Sequence, residues 1–265
     1  MESLTADAVK HAAQVRLLGR EVHVWETVDS TNAALSRLVN EGAGEGTIVL
    51  ADQQTAGRGR AGKPWFSPPG VNLHLSVLLH PPITLRDVRF FTFIGSLAIA
   101  DAIEAFAVKA QVKWPNDVLV NDKKIAGVLT DVRLQGGRVE YVIIGIGVNL
   151  NIDRLTMDRL YGEAASGATS LQETLGRTVD RNAFAARLLE CLEKRYFEFR
   201  AHGKRALLQE WRHRSFLGRR VTIREADRHI EGVAMDLDEE GGLMVNLDDG
   251  STVSVREGEV LPLQH

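Results

Sequence analysis

Residues 53–70 carry four glycines and three prolines interleaved with arginines and a lysine, and no other stretch limits the fold as much. Proline fixes φ and removes a backbone donor, and glycine weakens both helix and strand. The segment must therefore be mostly loop. Within it, Gly57-Arg58-Gly59-Arg60-Ala61-Gly62 satisfies G-x-G-x-x-G. The dinucleotide reading of that pattern needs a strand before it and a helix opening directly after it. Lys63-Pro64-Trp65-Phe66-Ser67-Pro68-Pro69-Gly70 follows instead, and its prolines forbid a regular helix. The segment also nearly matches a P-loop, but Pro64 stands where Ser or Thr must hold Mg²⁺. Pro64 also denies the helix that would turn its N-terminus to phosphate. Two arginines among glycines remain. Glycine lets backbone N–H groups approach an anion closely, and arginine binds phosphate or carboxylate bidentately. An exposed basic turn and an RNA-binding Gly-Arg segment are the competing readings. A Gly-Arg segment of the latter kind normally recurs, and this one does not, so the pattern favours anion cradling.

The rest of the chain alternates short strands with helices. Strand character marks 22–25, 47–51 and 72–79, then 111–113, 118–120, 124–131 and 139–146, with Asn121-Asp122 as a hairpin turn. Asp29-Ser30-Thr31-Asn32 supplies capping side chains ahead of a helix at 33–40, and 41–46 is a turn. Residues 90–107 are apolar on most faces and predict a buried helix; 183–201 and 206–214 also predict helices. After Gly218 the character changes: 221–224, 231–236, 243–246 and 252–256 alternate between Gly and Asp turns. That predicts a small antiparallel barrel-like module of about fifty residues, with a boundary near Phe216 that divides the chain into 1–215 and 216–265.

Composition excludes several classes. Of 265 residues, 44% are hydrophobic and 25% charged, so a core can be buried. A net charge of -3 marks neither a nucleic-acid nor a membrane-surface protein. The single cysteine, Cys191, allows no intrachain disulfide and reads as core filler in the 184–197 helix. Residues 1–20 lack a signal-peptide pattern and no stretch approaches the ~18 apolar residues of a membrane span. The expectation is a cytoplasmic protein.

Five blocks, in order, carry a resemblance. Asp29-Ser30-Thr31-Asn32 comes first. Ala51-Asp52-Gln53-Gln54-Thr55-Ala56-Gly57-Arg58-Gly59-Arg60-Ala61-Gly62-Lys63-Pro64-Trp65 follows. Then come Lys113-Trp114-Pro115-Asn116-Asp117, Lys124-Ile125-Ala126-Gly127-Val128-Leu129 and Gly145-Ile146-Gly147-Val148-Asn149-Leu150. They resemble the D-S-T-N, A-D-x-Q-T-x-G-R-G-R-x-G-x-x-W, K-W-P-N-D, K-[IL]-x-G-[IV]-L and G-[IL]-G-[IV]-N signatures of biotin protein ligases. The resemblance implies an α+β fold: a mixed β-sheet flanked by helices, of the class II synthetase-like, biotinyl/lipoyl ligase kind, with a small SH3-like C-terminal β-barrel. Some relatives carry an N-terminal winged helix and repress transcription. Only about twenty residues precede the first strand here, too few for such a domain, so the expectation is the short form with no nucleic-acid role.

The implied reaction has two steps. Biotin's carboxylate attacks the α-phosphorus of ATP and releases pyrophosphate; a lysine of a biotin carboxyl carrier protein then attacks biotinyl-5′-AMP and releases AMP. Mg²⁺ travels with the ATP phosphates, and no protein-held metal is implied. Two anions must meet, so positive charge and orientation are needed. The resemblance puts Arg58, Arg60, Lys113, Asp117 and Lys124 in catalysis. It puts Ser30, Thr31, Asn32, Gln54, Arg58, Gly59, Arg60, Lys124 and Gly127 on biotin, and Arg58, Trp65, Lys113, Asn116, Lys124 and Asn149 on the nucleotide. Asp117 either assists deprotonation of the carrier lysine or orients Lys113 and its loop. Trp65 either covers the ligand or fills the core. Residues 54–69 are expected to order over a reactive adenylate. A lipoate or octanoate ligase, a nucleic-acid module using Arg58, Arg60 and the arginines of 212–220, and a silent biotin-binding protein are the alternatives. The oligomer is expected to be a monomer or a homodimer.

Overall fold

The computed structural model describes residues 3–225 and 228–261. In chain order the elements are α1 (Ala6–Ala12), β1 (Val22–Val28), α2 (Thr31–Asn40), β2 (Ile48–Gln54), β3 (Leu73–Leu79), α3 (Arg89–Glu104), β4 (Gln111–Lys113), β5 (Asp117–Val120), β6 (Lys123–Gln135) and β7 (Arg138–Val148). There follow α4 (Arg154–Tyr161), α5 (Leu171–Leu175), α6 (Arg181–Arg214), β8 (Arg220–Glu225), β9 (Arg228–Leu237), β10 (Leu243–Asn246), β11 (Thr252–Val255) and β12 (Glu259–Val260). Seven strands form one sheet in the order β1-β2-β3-β7-β6-β5-β4. Only β1 and β2 run parallel, and the remaining pairs are antiparallel. Strands β8 to β12 form a second, antiparallel sheet in the order β11-β10-β9-β8-β12. The α+β architecture expected from the sequence is therefore present.

The mixed sheet is covered on both faces, which explains why its central strands lack simple apolar–polar alternation. Leu73, Leu75, Val77 and Leu79 of β3 face the layer built by α3 and α6, whereas Leu78 joins Val49, Tyr141 and Ile143 beneath Ala34 and Leu35 of α2. Helix α3 is apolar nearly all round because it lies between the sheet and α6. The large core runs without a break from α3 through Trp211 and Phe216 into Val221, Leu243 and Val255 of the second sheet. Trp114 ties the two sheets by donating its indole N–H to the Gly241 carbonyl at 3.1 Å.

Several elements differ from the sequence expectation. β1, β2, β6 and β7 run on past the expected ends, because pairing with neighbours carries strands through residues of weak local propensity. Asn121 and Asp122 do form the turn, both at positive φ (50° and 60°), as a two-residue hairpin of that hand requires. The two helices expected at 183–201 and 206–214 are one element, α6, interrupted at Gly203 (φ 71°). The capping expectation at Asp29–Asn32 is corrected. Ser30 is the N-cap residue of α2 but its side chain makes no capping bond. Asp29 instead accepts from the Ser30 N–H and grips Arg37 through both oxygens at 2.8 Å. The Arg37 guanidinium holds the Asp29 carboxyl down at about 2. Ser30 is thereby left free for another use.

Candidate active site

A cavity of about 480 Å³ opens between the end of the mixed sheet and the second sheet, within the range of small-ligand sites. Its wall is drawn from the start of α2, the end of β2, the loop around Arg58–Trp65, the β4–β5 connection, β6, β7, and the β8 and β12 region of the second sheet.

The floor is glycine. A Cβ placed on Gly147 would lie 2.4 Å from Trp65 Cε2, and one on Gly145 would lie 2.2 Å from Asn32 Oδ1. Real side chains do not fit at such distances, so these two glycines let the Trp65 indole and the Asn32 amide press against β7 itself. Gly127 of β6 is less crowded, with Lys124 and Trp65 atoms at 3.4 Å.

One wall is a polar relay. Gln54 Oε1 accepts from the Thr31 backbone N–H at 2.9 Å and faces the Thr31 hydroxyl at 3.2 Å. Ser76 Oγ lies 2.7 Å from Thr31 Oγ1 and 2.6 Å from Asn32 Oδ1. Asn32 Nδ2 donates to Asp131 at 2.9 Å and to the Leu129 carbonyl at 3.3 Å. Asn32 is therefore held in a single orientation, its amide oxygen toward Ser76.

The opposite wall is charged. Lys124 Nζ stands 2.6 Å from Asp117 Oδ1, and Lys113 Nζ 3.7 Å from Asp117 Oδ2, so one carboxylate serves two ammonium groups. Lys124 also lies over the Trp65 ring, 5.6 Å from its centroid. Lys113 donates to the Val260 carbonyl at 3.1 Å and Arg60 to the Gly258 carbonyl at 3.1 Å. Glu259 bridges Lys63, at 2.5 Å, and Arg224, at 2.6 Å. In all, six lysines and arginines line the cavity against four carboxylates. Burial lowers the affinity of Arg60 for its proton, but a guanidinium stays charged. Cations therefore outnumber carboxylates around a central Asp117, a balance that favours anions.

Burial also pushes the Lys113 ammonium below the ordinary lysine range, against the opposing pull of Asp117. A folded-state value below the unfolded one means that the unfolded chain holds the proton more tightly. Stability then rises with pH from the folded value up to the ordinary lysine value, and the charged amine is a cost at neutral pH. Lys113→Met is expected to melt no lower than the wild type at neutral pH and to lose that alkaline rise, while activity falls. Thermal melts from neutral pH to pH 10.5 check it; a variant markedly less stable at pH 7 would mean that the bond to Val260 outweighs the burial.

With this geometry in view, a family model described as the biotin/lipoate A/B protein ligase family matches residues 24–149, and one for the biotin protein ligase C-terminal domain matches 216–261. The bifunctional ligase/repressor BirA of Bacillus spizizenii is 33% identical over 249 residues, covering 93% of this chain and 76% of that protein. The chain belongs to the biotin protein ligase family. The biotin--[acetyl-CoA-carboxylase] ligase of Mycobacterium tuberculosis is 31% identical over 92% of this chain and 90% of its own length. Among solved structures, a biotin protein ligase from Aquifex aeolicus in complex with biotin and ATP superposes with a TM-score of 0.75 at 28% identity. That match covers 91% of this chain and 98% of that one.

The fold of this ligase-family chain brings nearly all of the expected residues to one place. Ser30, Thr31, Asn32, Gln54, Arg58, Gly59, Arg60, Trp65, Lys113, Asn116, Asp117, Lys124 and Gly127 all line the cavity. Asn149 does not. It is 2% exposed, donates to the Thr169 carbonyl at 3.1 Å and accepts from the Tyr161 hydroxyl at 3.2 Å. Its backbone N–H bonds Ile125, next to Lys124, so it braces the strand that carries the lysine. Burial pushes the Tyr161 phenol up to about 12, so it stays a donor to Asn149. Ser76, Asp131 and the Arg224–Glu259 rim escaped the sequence reading. Ser76 left one trace there: with His74, it is a polar residue in an otherwise apolar strand.

Proposed function

We propose that this chain is an ATP-dependent ligase that activates biotin as biotinyl-5′-AMP and transfers it to a lysine of a biotin carboxyl carrier protein. The observation that carries the reading is the pairing of a glycine floor under Trp65 with a wall of cations in one cavity. An apolar ring is accommodated beside the Trp65 indole that rests on this floor, a cyclic urea by the Ser30, Thr31 and Gln54 groups, and the carboxylate and phosphates by Arg58, Arg60, Lys113 and Lys124. The nucleotide lies toward Asn116 and the second sheet, and Mg²⁺ enters as part of the ATP substrate. We take residues 216–265 as an SH3-like module that closes this end of the cavity and 1–215 as the catalytic unit, acting in the cytoplasm.

In the first step a carboxylate oxygen of biotin attacks the α-phosphorus and the bond to the bridging oxygen of pyrophosphate breaks. Lys124 and Arg60 offset the repulsion of the two anions and the negative charge that builds on the oxygens around phosphorus. In the second step the carrier amine attacks the acyl carbon, the bond to the AMP oxygen breaks, and the amine sheds its proton. Asp117 is suited to receive that proton or to hold Lys113 and Lys124 in place. Among the described residues, no helix is long and apolar enough to cross a membrane.

The test is incubation with Mg-ATP, biotin and a carrier domain, followed by the mass of the carrier. One biotinyl addition is expected with the wild type, and little with Arg60→Ala. Addition of lipoate but not biotin would assign the chain to lipoate chemistry instead. The loop at 54–69 folds back on itself through the Gly59 N–H to Lys63 and Trp65 N–H to Gly57 bonds and meets the second sheet through exposed Lys63. Biotin plus ATP is expected to slow its cleavage by trypsin; equal cleavage with and without ligand would remove the lid role.

A further inference from the structure

Strand β3 is buried along its whole length, yet its cavity-side face carries His74 and Ser76. Ser76 is accounted for by Thr31 and Asn32. His74 is not. Its imidazole is fully buried, and neither ring nitrogen finds a hydrogen-bond partner among the described residues. Buried polar groups of this kind are rare and call for a role.

The sheet register supplies one. His74 lies directly opposite Gly147 on β7, so the two positions face the same side at the spacing of a cross-strand pair. The space that a Gly147 side chain would take is filled by Trp65; a Cβ there would lie 2.8 Å from the indole Nε1. That Nε1 is itself buried and without a partner among the described residues. A donor lacking an acceptor and a ring offering one thus flank a single glycine. Burial, and then the charge of Arg181, push the His74 imidazole down to about 3. Both effects favour the neutral ring, which has one nitrogen able to accept.

We propose that His74 is the positioning residue of the lid: its imidazole takes the Trp65 indole N–H, directly or through one water, and so fixes the tryptophan over the glycine floor before the cavity fills. The inference rests on reading the cavity as the biotin site, but its first test needs no ligand. The chain has four tryptophans, so ¹⁵N-tryptophan labelling gives few indole signals. Trp65 is assigned by its loss in Trp65→Phe, and Trp114, bonded to Gly241, serves as reference. His74→Phe is expected to shift the Trp65 indole resonance and speed its exchange, leaving Trp114 unmoved, and His74→Gln to restore most of the protection. Biotin affinity is expected to fall about tenfold in His74→Phe, the size of one buried neutral hydrogen bond. In a Trp65→Phe background the His74 change should add nothing. An unmoved indole signal, or losses that simply add in the double variant, overturns the proposal. Should His74→Phe not fold, His74→Leu, which offers no acceptor, is read in the same way. Indole coupling in a wild type that binds no biotin would keep the seat and discard the ligand reading.

Discussion

Lys124→Met slows formation of the biotinyl adenylate by about 10²- to 10³-fold, ~3–4 kcal/mol of transition-state stabilisation, and leaves the melting temperature close to that of the wild type. Lys124 is the cavity cation best placed for a ligand: its side chain is 38% exposed, against 13% for Lys113. Arg60 and Lys113 already donate to carbonyls of the second sheet, so neither replaces it without breaking a bond. Its backbone is pinned from both sides, because the Lys124 carbonyl accepts from Thr169 and the next residue accepts from Asn149. Methionine keeps the apolar stem against Trp65 and Gly127, so packing is retained and the loss is one of charge. Asp117 keeps Lys113 as a partner and is not stranded. Single-turnover pyrophosphate release measures the step. A rise in KM for biotin with kcat unchanged would place Lys124 in uniform substrate binding and take it out of the chemistry.

The candidate site was legible largely because its residues sit in short blocks whose order survives without a structure. Residues that reach the site through pairing were not legible. Ser76 and His74 lie in a mostly apolar strand, and only the register with β7 shows that both share the sheet face of the cavity's Gly145 and Gly147. Asp131 sits two residues beyond the end of the Lys124–Leu129 block, and only the fold, which brings β6 to the start of α2, shows that it orients Asn32. The segment between β7 and α6 gave little periodicity. It is held instead by Arg154, which bonds Glu173 and the carbonyls of Ala165 and Ala168. β12 has two residues, below any pattern, and reaches the cavity because Trp114 docks the second sheet onto the first. Asn149 illustrates the converse: membership of a motif block put it on the ligand, and it sits buried beside the cavity, bonded to Thr169 and Tyr161.

Gly147→Ala is expected to weaken biotin binding by about 100-fold or more, roughly 3 kcal/mol, with little change in stability. The added Cβ would lie 2.4 Å from Trp65 Cε2 and 2.5 Å from Cζ2, so either β7 or the tryptophan must move. β7 is paired along its length on both sides, with β3 and with β6, and a central strand shifts only with its neighbours. Trp65 sits on a loop held by its backbone bond to Gly57 and by the surface ion pair of Lys63 with Glu259, which yields far more readily. The lid therefore lifts while the core stays closed. Gly127→Ala is the matched control: its nearest contacts, at 3.4 Å, are ordinary van der Waals distances, and its loss should stay within about fivefold. Calorimetric titration of biotin reads both variants. Wild-type affinity in Gly147→Ala would mean that Trp65 does not rest on β7 in solution. The clash also predicts its own rescue pattern. In a Trp65→Ala background the alanine at 147 no longer meets the indole, so Gly147→Ala should then cost nothing further, and a full second penalty would place its effect somewhere other than the lid.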